Sequence, residues 1–151
     1  MIRLKRLPTN IEQKLPELSK KLEAHEKVSS FYIFGSLATG NLRPLSDLDF
    51  AILLSKGIPK ENFFEIELNL REVIESTLKT EEFDLVVLNS APPGFSYNVL
   101  KTGKLLFCKD REQLINFRER VVKYYLDFRY FRDQFTSAFL EGIGYCGRKD
   151  R

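Results

Sequence analysis

The sequence contains few residues that could bind zinc or form disulfides. Its two cysteines, Cys108 and Cys146, have no short spacing to each other or to the single histidine, His25. Zinc sites need clustered ligands, and disulfide frameworks need several paired cysteines. The sequence therefore supports neither kind of site, and it predicts that both thiols are reduced.

Long apolar runs and a strong charge of one sign are also absent. No apolar stretch approaches the roughly 20 residues of a membrane-spanning helix, and the first residues carry no secretory apolar core. We therefore expect a cytoplasmic protein with no membrane partner. The formal net charge is only +3, whereas nucleic-acid-binding domains usually carry a large basic excess. We accordingly expect no direct nucleic-acid partner.

The length and composition are typical of one globular domain. The chain has 151 residues, 43% hydrophobic and 30% charged, without internal repeats, low-complexity tracts or long linkers. Such a length allows one core but no separate domain for a large substrate. We expect a single domain over residues 1–151, and any large substrate surface must come from a partner.

Hydrophobic periodicity predicts an α/β (α+β) fold. Spacings of three and four predict helices, and short β-branched or aromatic runs predict strands. The predicted helices are 10–26, 63–78, 95–100 and about 110–140, and the predicted strands are 28–34, 47–54, 83–88 and 105–109. We expect a small mixed sheet with carboxylates on one face, helices on the other, and a long C-terminal helix. The second strand is apolar on both faces, which predicts a central position.

The last predicted helix carries an apolar stripe over more residues than a small sheet can cover. Asp110 is a plausible N-cap, and the stripe runs from Leu114 to Ala138. One interpretation is that the whole stripe packs on its own domain. The alternative, which we favour beyond about Tyr125, is docking on another chain, because exposed aromatic stripes are typical of interfaces. Residues 142–151, rich in glycine and charge, are expected to form a flexible tail.

Two carboxylates stand one residue apart at the start of the second strand. Asp47 and Asp49 point to the same face, about 7 Å apart, because side chains alternate along a strand. Like charges this close need cations to neutralise them, and oxygen ligands suit Mg²⁺ or Mn²⁺. Asp84, at the start of the third strand, is positioned to complete a two-metal site and to act as a general base.

A glycine-serine turn precedes this pair. Gly35 and Ser36 end the first strand, and Gly40 follows shortly. Glycine lets backbone N–H groups approach phosphate oxygens, and the Ser36 hydroxyl can add a hydrogen bond. A P-loop would need a lysine after its second glycine, and that lysine is absent. The combination indicates triphosphate binding by a site other than a P-loop.

The sequence resembles the DNA polymerase β-like nucleotidyltransferase superfamily in the order of these residues. Gly35-Ser36 comes first, Asp47-x-Asp49 follows, and Asp84 lies on a later strand. The resemblance covers residues 28–89. Within the superfamily, the sequence is similar to the minimal nucleotidyltransferase branch. It implies that Gly35 and Ser36 hold phosphate and that Asp47, Asp49 and Asp84 bind two Mg²⁺ ions, with Mn²⁺ also possible. The family often has arginine at the position of Thr39, and Arg43 in the same loop could supply that contact to the triphosphate.

The resemblance also implies a reaction and a partner. Minimal nucleotidyltransferases are often antitoxins that transfer AMP from ATP to a tyrosine hydroxyl of a HEPN-family RNase toxin, with which they form a hetero-oligomer. Two alternatives stay open. The chain could be a binding-only antitoxin that covers its toxin, although the intact set of site residues argues against a decayed site. It could also be a small-molecule nucleotidyltransferase of the aminoglycoside type, although such enzymes usually carry an additional domain.

Overall fold

The computed structural model describes residues 10–40 and 48–142. Their elements are α1 (Ile11–Glu23), β1 (Val28–Phe34), α2 (Ser36–Thr39), β2 (Leu48–Leu54), α3 (Phe63–Leu78), β3 (Phe83–Val87), α4 (Pro93–Thr102), β4 (Lys104–Cys108) and α5 (Arg111–Gly142). Short 3-10 turns, Lys60–Asn62 and Leu88–Ser90, precede α3 and follow β3. No helix in these ranges is long and apolar enough to cross a membrane.

The four strands form one mixed sheet in the order β3-β2-β1-β4. β1 pairs antiparallel with β2 and β4, whereas β2 pairs parallel with β3. Every residue of β2 except Asp49 is buried, because β2 has strands on both edges and side-chain packing on both faces. The predictions of a small mixed sheet and of a central second strand are confirmed.

Helices cover both faces of the sheet. α1 and α3 pack on the face that carries Phe50 and Ile52. α4 and the first third of α5 pack on the face that carries Ala51 and Leu53. The expectation of helices on one face only is therefore wrong. The spacing within a helix shows that it has an apolar side, but not which face of a sheet receives that side.

The element boundaries differ from the predicted ones by a few residues. α4 begins at Pro93 rather than near residue 95, because proline fits the first helical position, where its missing N–H would have no partner. The third strand ends at Val87, and Leu88 already belongs to the following 3-10 turn. The first strand ends at Phe34, as the sequence predicts.

The start of α5 is fixed by a side-chain cap. The N–H of Gln113 donates a hydrogen bond to the Asp110 carboxylate at 3.0 Å, which confirms the predicted N-cap. This hydrogen bond is the main cause that lowers the pKa of Asp110. The first third of the helix then packs in the core through Leu114, Phe117 and Val121.

Beyond Val121, α5 leaves the core. All residues from 122 to 142 are exposed or half-buried, and the Phe128, Phe131 and Phe135 side chains are 65%, 71% and 73% exposed. At 1.5 Å per residue this part of the helix is about 30 Å long. The exposed part of the stripe, which includes Phe128, Phe131 and Phe135, therefore does not pack on the described part of its own domain. Its docking on another chain stays a prediction.

Candidate active site

Asp49 and Asp84 lie side by side at the same end of the sheet. They are register partners in the parallel pair β2–β3, where neighbouring strands are about 4.8 Å apart. Leu48 and Phe50 are fully buried on the opposite face, so alternation directs the Asp49 side chain to the face that α4 and α5 cover further along the strand. Both carboxyl residues are half-buried. The sequence predicts that Asp84 faces the carboxylates of the second strand, and the structure places Asp84 beside one of them, Asp49.

Gly35 lies against Asp49. Its backbone has φ +67° and ψ −146°, a conformation that is essentially restricted to glycine. A Cβ atom at this position would lie 2.5 Å from Asp49 Oδ2. The register explains the contact, because Phe34, the preceding residue, pairs with Asp49 across β1 and β2. Glycine is thus required here by its backbone conformation and by its proximity to the carboxylate.

Ser36 begins the short helix α2 directly after this glycine. The Gly35 carbonyl oxygen accepts hydrogen bonds from the N–H groups of Ala38 and Thr39 at 3.1 and 3.3 Å. The Thr39 hydroxyl turns back onto the carbonyl oxygens of Gly35 and Ser36. α2 therefore holds Ser36, which is half-buried, in a fixed position at the end of β1. Thr39 therefore helps to stabilise this turn.

Two of the predicted site residues, Asp47 and Arg43, lie outside the described residues. Asp47 immediately precedes β2. Within residues 10–40 and 48–142, no group of three or more His, Cys, Asp and Glu side chains could hold a metal ion. The described part of the site thus supplies two carboxylates, and a third must come from residue 47 if the site is to match the predicted set.

The donor set of Asp49 and Asp84 fits a divalent cation. Both residues offer carboxylate oxygens, the ligand type that Mg²⁺ and Mn²⁺ prefer. Like charges at adjacent register positions repel each other, and a bound cation would remove this repulsion. These two residues therefore offer the type of ligand that the predicted metal site requires, and metal binding stays a prediction.

An aromatic pair forms one wall beside this site. The rings of Phe34 and Phe95 are in edge contact, with centroids 5.7 Å apart, and Phe95 is 38% exposed. The residues around Phe95 carry no motif, so the sequence gives no signal that Phe95 lies beside the site. Its position depends on where the start of α4 packs, and the local pattern does not encode that.

Comparisons with known proteins agree with this geometry. Residues 16–112 match the sequence model of a family described as polymerase beta, nucleotidyltransferase. The chain is 30% identical over 127 residues to the protein adenylyltransferase MntA of Aphanizomenon flos-aquae, a match that covers 78% of this chain and 81% of that protein.

Two solved structures share the fold. One is a toxin-antitoxin structure with AMP-PNP, with a TM-score of 0.62, 24% identity, and coverage of 85% of this chain and 98% of that one. The other is a tri-AMPylated HEPN toxin in complex with its MNT antitoxin, from Shewanella oneidensis, with a TM-score of 0.54, 21% identity, and coverage of 85% and 95%. The predicted fold class is therefore confirmed.

Proposed function

The chain belongs to the polymerase beta nucleotidyltransferase family, and we propose that within it the protein is an antitoxin that transfers AMP from ATP to a tyrosine hydroxyl of a HEPN-family RNase toxin. The observation that carries the proposal is the placement of Asp49 beside both Asp84 and Gly35. The carboxylates proposed to bind metal and the turn proposed to bind phosphate thereby meet at one end of the sheet. The proposed adenylyl transfer also rests on the curated relative named a protein adenylyltransferase.

Each site residue has a proposed role. Gly35 and Ser36 hold the triphosphate through backbone N–H groups and the Ser36 hydroxyl, with Arg43 as a cationic contact. Asp49 and Asp84, together with Asp47, would hold two Mg²⁺ ions, for which Mn²⁺ could substitute. When bound, such ions neutralise developing charge on the phosphate oxygens and lower the pKa of the acceptor hydroxyl.

The reaction is a displacement at the α-phosphorus of ATP. The tyrosine oxygen forms a bond to this phosphorus, the bond from it to the oxygen that bridges to the β-phosphate breaks, and pyrophosphate leaves. Asp84 accepts the proton of the tyrosine hydroxyl as general base. The glycine at position 35 keeps a side chain out of the space in which the phosphates approach Asp49.

A protein acceptor suits the architecture of this chain. Residues 1–151 are proposed to form one nucleotidyltransferase domain, whose C-terminal helix, residues 110–140, docks on the toxin. The exposed aromatic stripe of α5 supports this docking, since an isolated helix exposing several phenylalanines is poorly stable in water unless a partner covers it. The two solved neighbours are toxin-antitoxin structures, which supports a HEPN toxin as that partner.

If α5 docks on the toxin, replacing phenylalanines of its exposed stripe with charged residues should weaken the complex. We expect the double substitution Phe131→Asp and Phe135→Asp to weaken binding of the toxin by on the order of a hundredfold, as removal of buried aromatic anchors does. Isothermal titration calorimetry measures the change. Leu126→Asp is the matched control, because Leu126 is 50% exposed but lies on the opposite side of α5. Equal affinities of the double variant and this control would contradict docking through the stripe.

Label transfer distinguishes the proposed reaction from its alternatives. The purified chain is incubated with Mg²⁺ and ATP labelled at the α-phosphate, together with either the protein encoded beside it or an aminoglycoside panel. We expect label on a tyrosine of the protein, located by mass spectrometry, and no label when EDTA removes the metal. Label on an aminoglycoside would support the small-molecule alternative. Toxin neutralisation without label on any acceptor would support the binding-only alternative.

A further inference from the structure

An apolar groove runs along the outer edge of β3. Its volume is about 570 Å³, within the range of about 300–1,000 Å³ that is usual for ligand sites. Leu85, Val86 and Val87 form its floor, Phe63 and Phe64 at the start of α3 form one wall, and Pro92 and Phe95 at the start of α4 form the other. The groove lies where β3 is the edge strand of the described sheet.

The groove continues the row of site residues across the sheet. Phe34, Asp49 and Asp84 are successive register partners on β1, β2 and β3. The phosphate-binding turn follows Phe34 at one end of this row, and the groove begins at Leu85, next to Asp84, at the other end. The row therefore runs from the turn through the carboxylates to the groove.

The chemistry of the proposed transfer indicates which end of this row receives the leaving pyrophosphate and which end receives the attacking hydroxyl. In a displacement at phosphorus, the attacking and leaving oxygens are roughly in line on opposite sides. Pyrophosphate leaves on the side of Gly35 and Ser36, which hold it. The attacking hydroxyl must therefore arrive from the side of Asp84, which directly precedes Leu85, the first groove residue on β3.

We propose that the groove binds an extended polypeptide segment of the acceptor protein, next to the hydroxyl that is modified. This inference rests on the proposed function. The lining carries one cationic and one anionic side chain, Lys60 and Glu67, so it has no net charge to attract a nucleic acid or a polycationic sugar. The apolar lining matches the side chains of a peptide.

Side-chain contacts provide most of this binding. Arg71 Nη2 donates to the Leu85 carbonyl oxygen at 3.4 Å, and its guanidinium lies 5.9 Å from the centroid of the Phe83 ring. Arg71 thus engages a backbone group on the edge of β3 near Asp84, which limits extension of the sheet by an added strand. Phe64, 70% exposed, and Phe95 remain available on the two walls as anchors.

The test compares two substitutions on one helix. Phe64→Ala removes a groove wall, and Leu68→Ala, one turn further along α3 and 47% exposed, is the matched control outside the lining. We expect Phe64→Ala to raise KM for the acceptor protein about tenfold, the effect of losing one buried aromatic anchor. KM for ATP should stay unchanged, and Leu68→Ala should behave as the unmodified chain. Equal KM values for the acceptor in both variants would overturn the proposal, and so would a raised KM for ATP, which would place the nucleotide in the groove.

A second measurement locates the segment directly. A benzophenone side chain introduced at position 64 should crosslink to acceptor residues within a few positions of the modified hydroxyl, and one at position 68 should not. Crosslinks only to distant parts of the acceptor would overturn the proposal. If the unmodified chain transfers no AMP, the proposed function fails first. If the unmodified chain transfers AMP normally and Phe64→Ala has no effect, only the proposed role of the groove is refuted.

Discussion

Asp49→Asn should lower the rate of AMP transfer by about a thousandfold, because it removes the carboxylate that lies between the Gly35-Ser36 turn, proposed to bind phosphate, and Asp84. The amide keeps the shape of the side chain but loses its negative charge, so the affinity of the proposed metal site for its ion should fall. The rate is measured as pyrophosphate release in the presence of the toxin. The melting temperature should change little, because an amide replaces the carboxylate with similar volume.

The control removes a negative charge elsewhere. Glu72→Gln, at an exposed position of α3, changes the net charge by the same amount as Asp49→Asn and should retain the full rate. The Asp49→Asn variant should also still bind the toxin, since α5 is unchanged. A rate within threefold of the unmodified chain would contradict a metal-binding role for Asp49.

Gly35→Ala should impair the same site by changing the residue that lies against Asp49. The added Cβ would lie 2.5 Å from Asp49 Oδ2, and alanine rarely adopts the backbone conformation of this residue. We expect a loss of about 1–3 kcal/mol in the free energy of unfolding. The rate of AMP transfer should fall by about a hundredfold, because Asp49 or the turn must move. Urea denaturation and pyrophosphate release measure the two effects.

Gly57→Ala separates backbone strain from the contact with Asp49. Gly57 also has a positive φ, +81°, but no described atom lies within 4 Å of its Cβ position. It follows β2, at the opposite end of the sheet from Asp49. This control should lose about 1 kcal/mol of stability and keep its activity. An equal loss of activity in both variants would show that the contact with Asp49 is unimportant.

Local patterns predict most of the secondary structure. Val28–Phe34 and Phe63–Leu78 match the predicted boundaries, because the alternation of side chains and the spacing of a helix are properties of neighbouring residues. Boundaries were displaced where a proline begins a helix, at Pro93, or where a strand enters a 3-10 turn, at Leu88. Those ends depend on capping and on pairing with other strands, to which periodicity is insensitive.

The candidate site depends partly on residues that are close in sequence and partly on the pairing of two strands. Gly35, Ser36 and Asp49 lie within 15 residues of one another, and a glycine turn and a carboxylate close in sequence can be recognised together. Asp84 is 35 residues beyond Asp49, and its role as a partner depended on the expectation that two strands lie side by side. The register of β2 and β3 supplies this juxtaposition.

By itself, the sequence determined the strands and helices, the glycine-serine turn, the carboxylates and the family to which the chain belongs. Only the tertiary structure decided that helices cover both faces, that β3 is the edge strand of the described sheet, and that Phe64 and Phe95 form opposite walls of one groove. The reason is physical. Residue spacing records which side of each element is apolar, whereas the choice of neighbouring element is made by packing between distant segments.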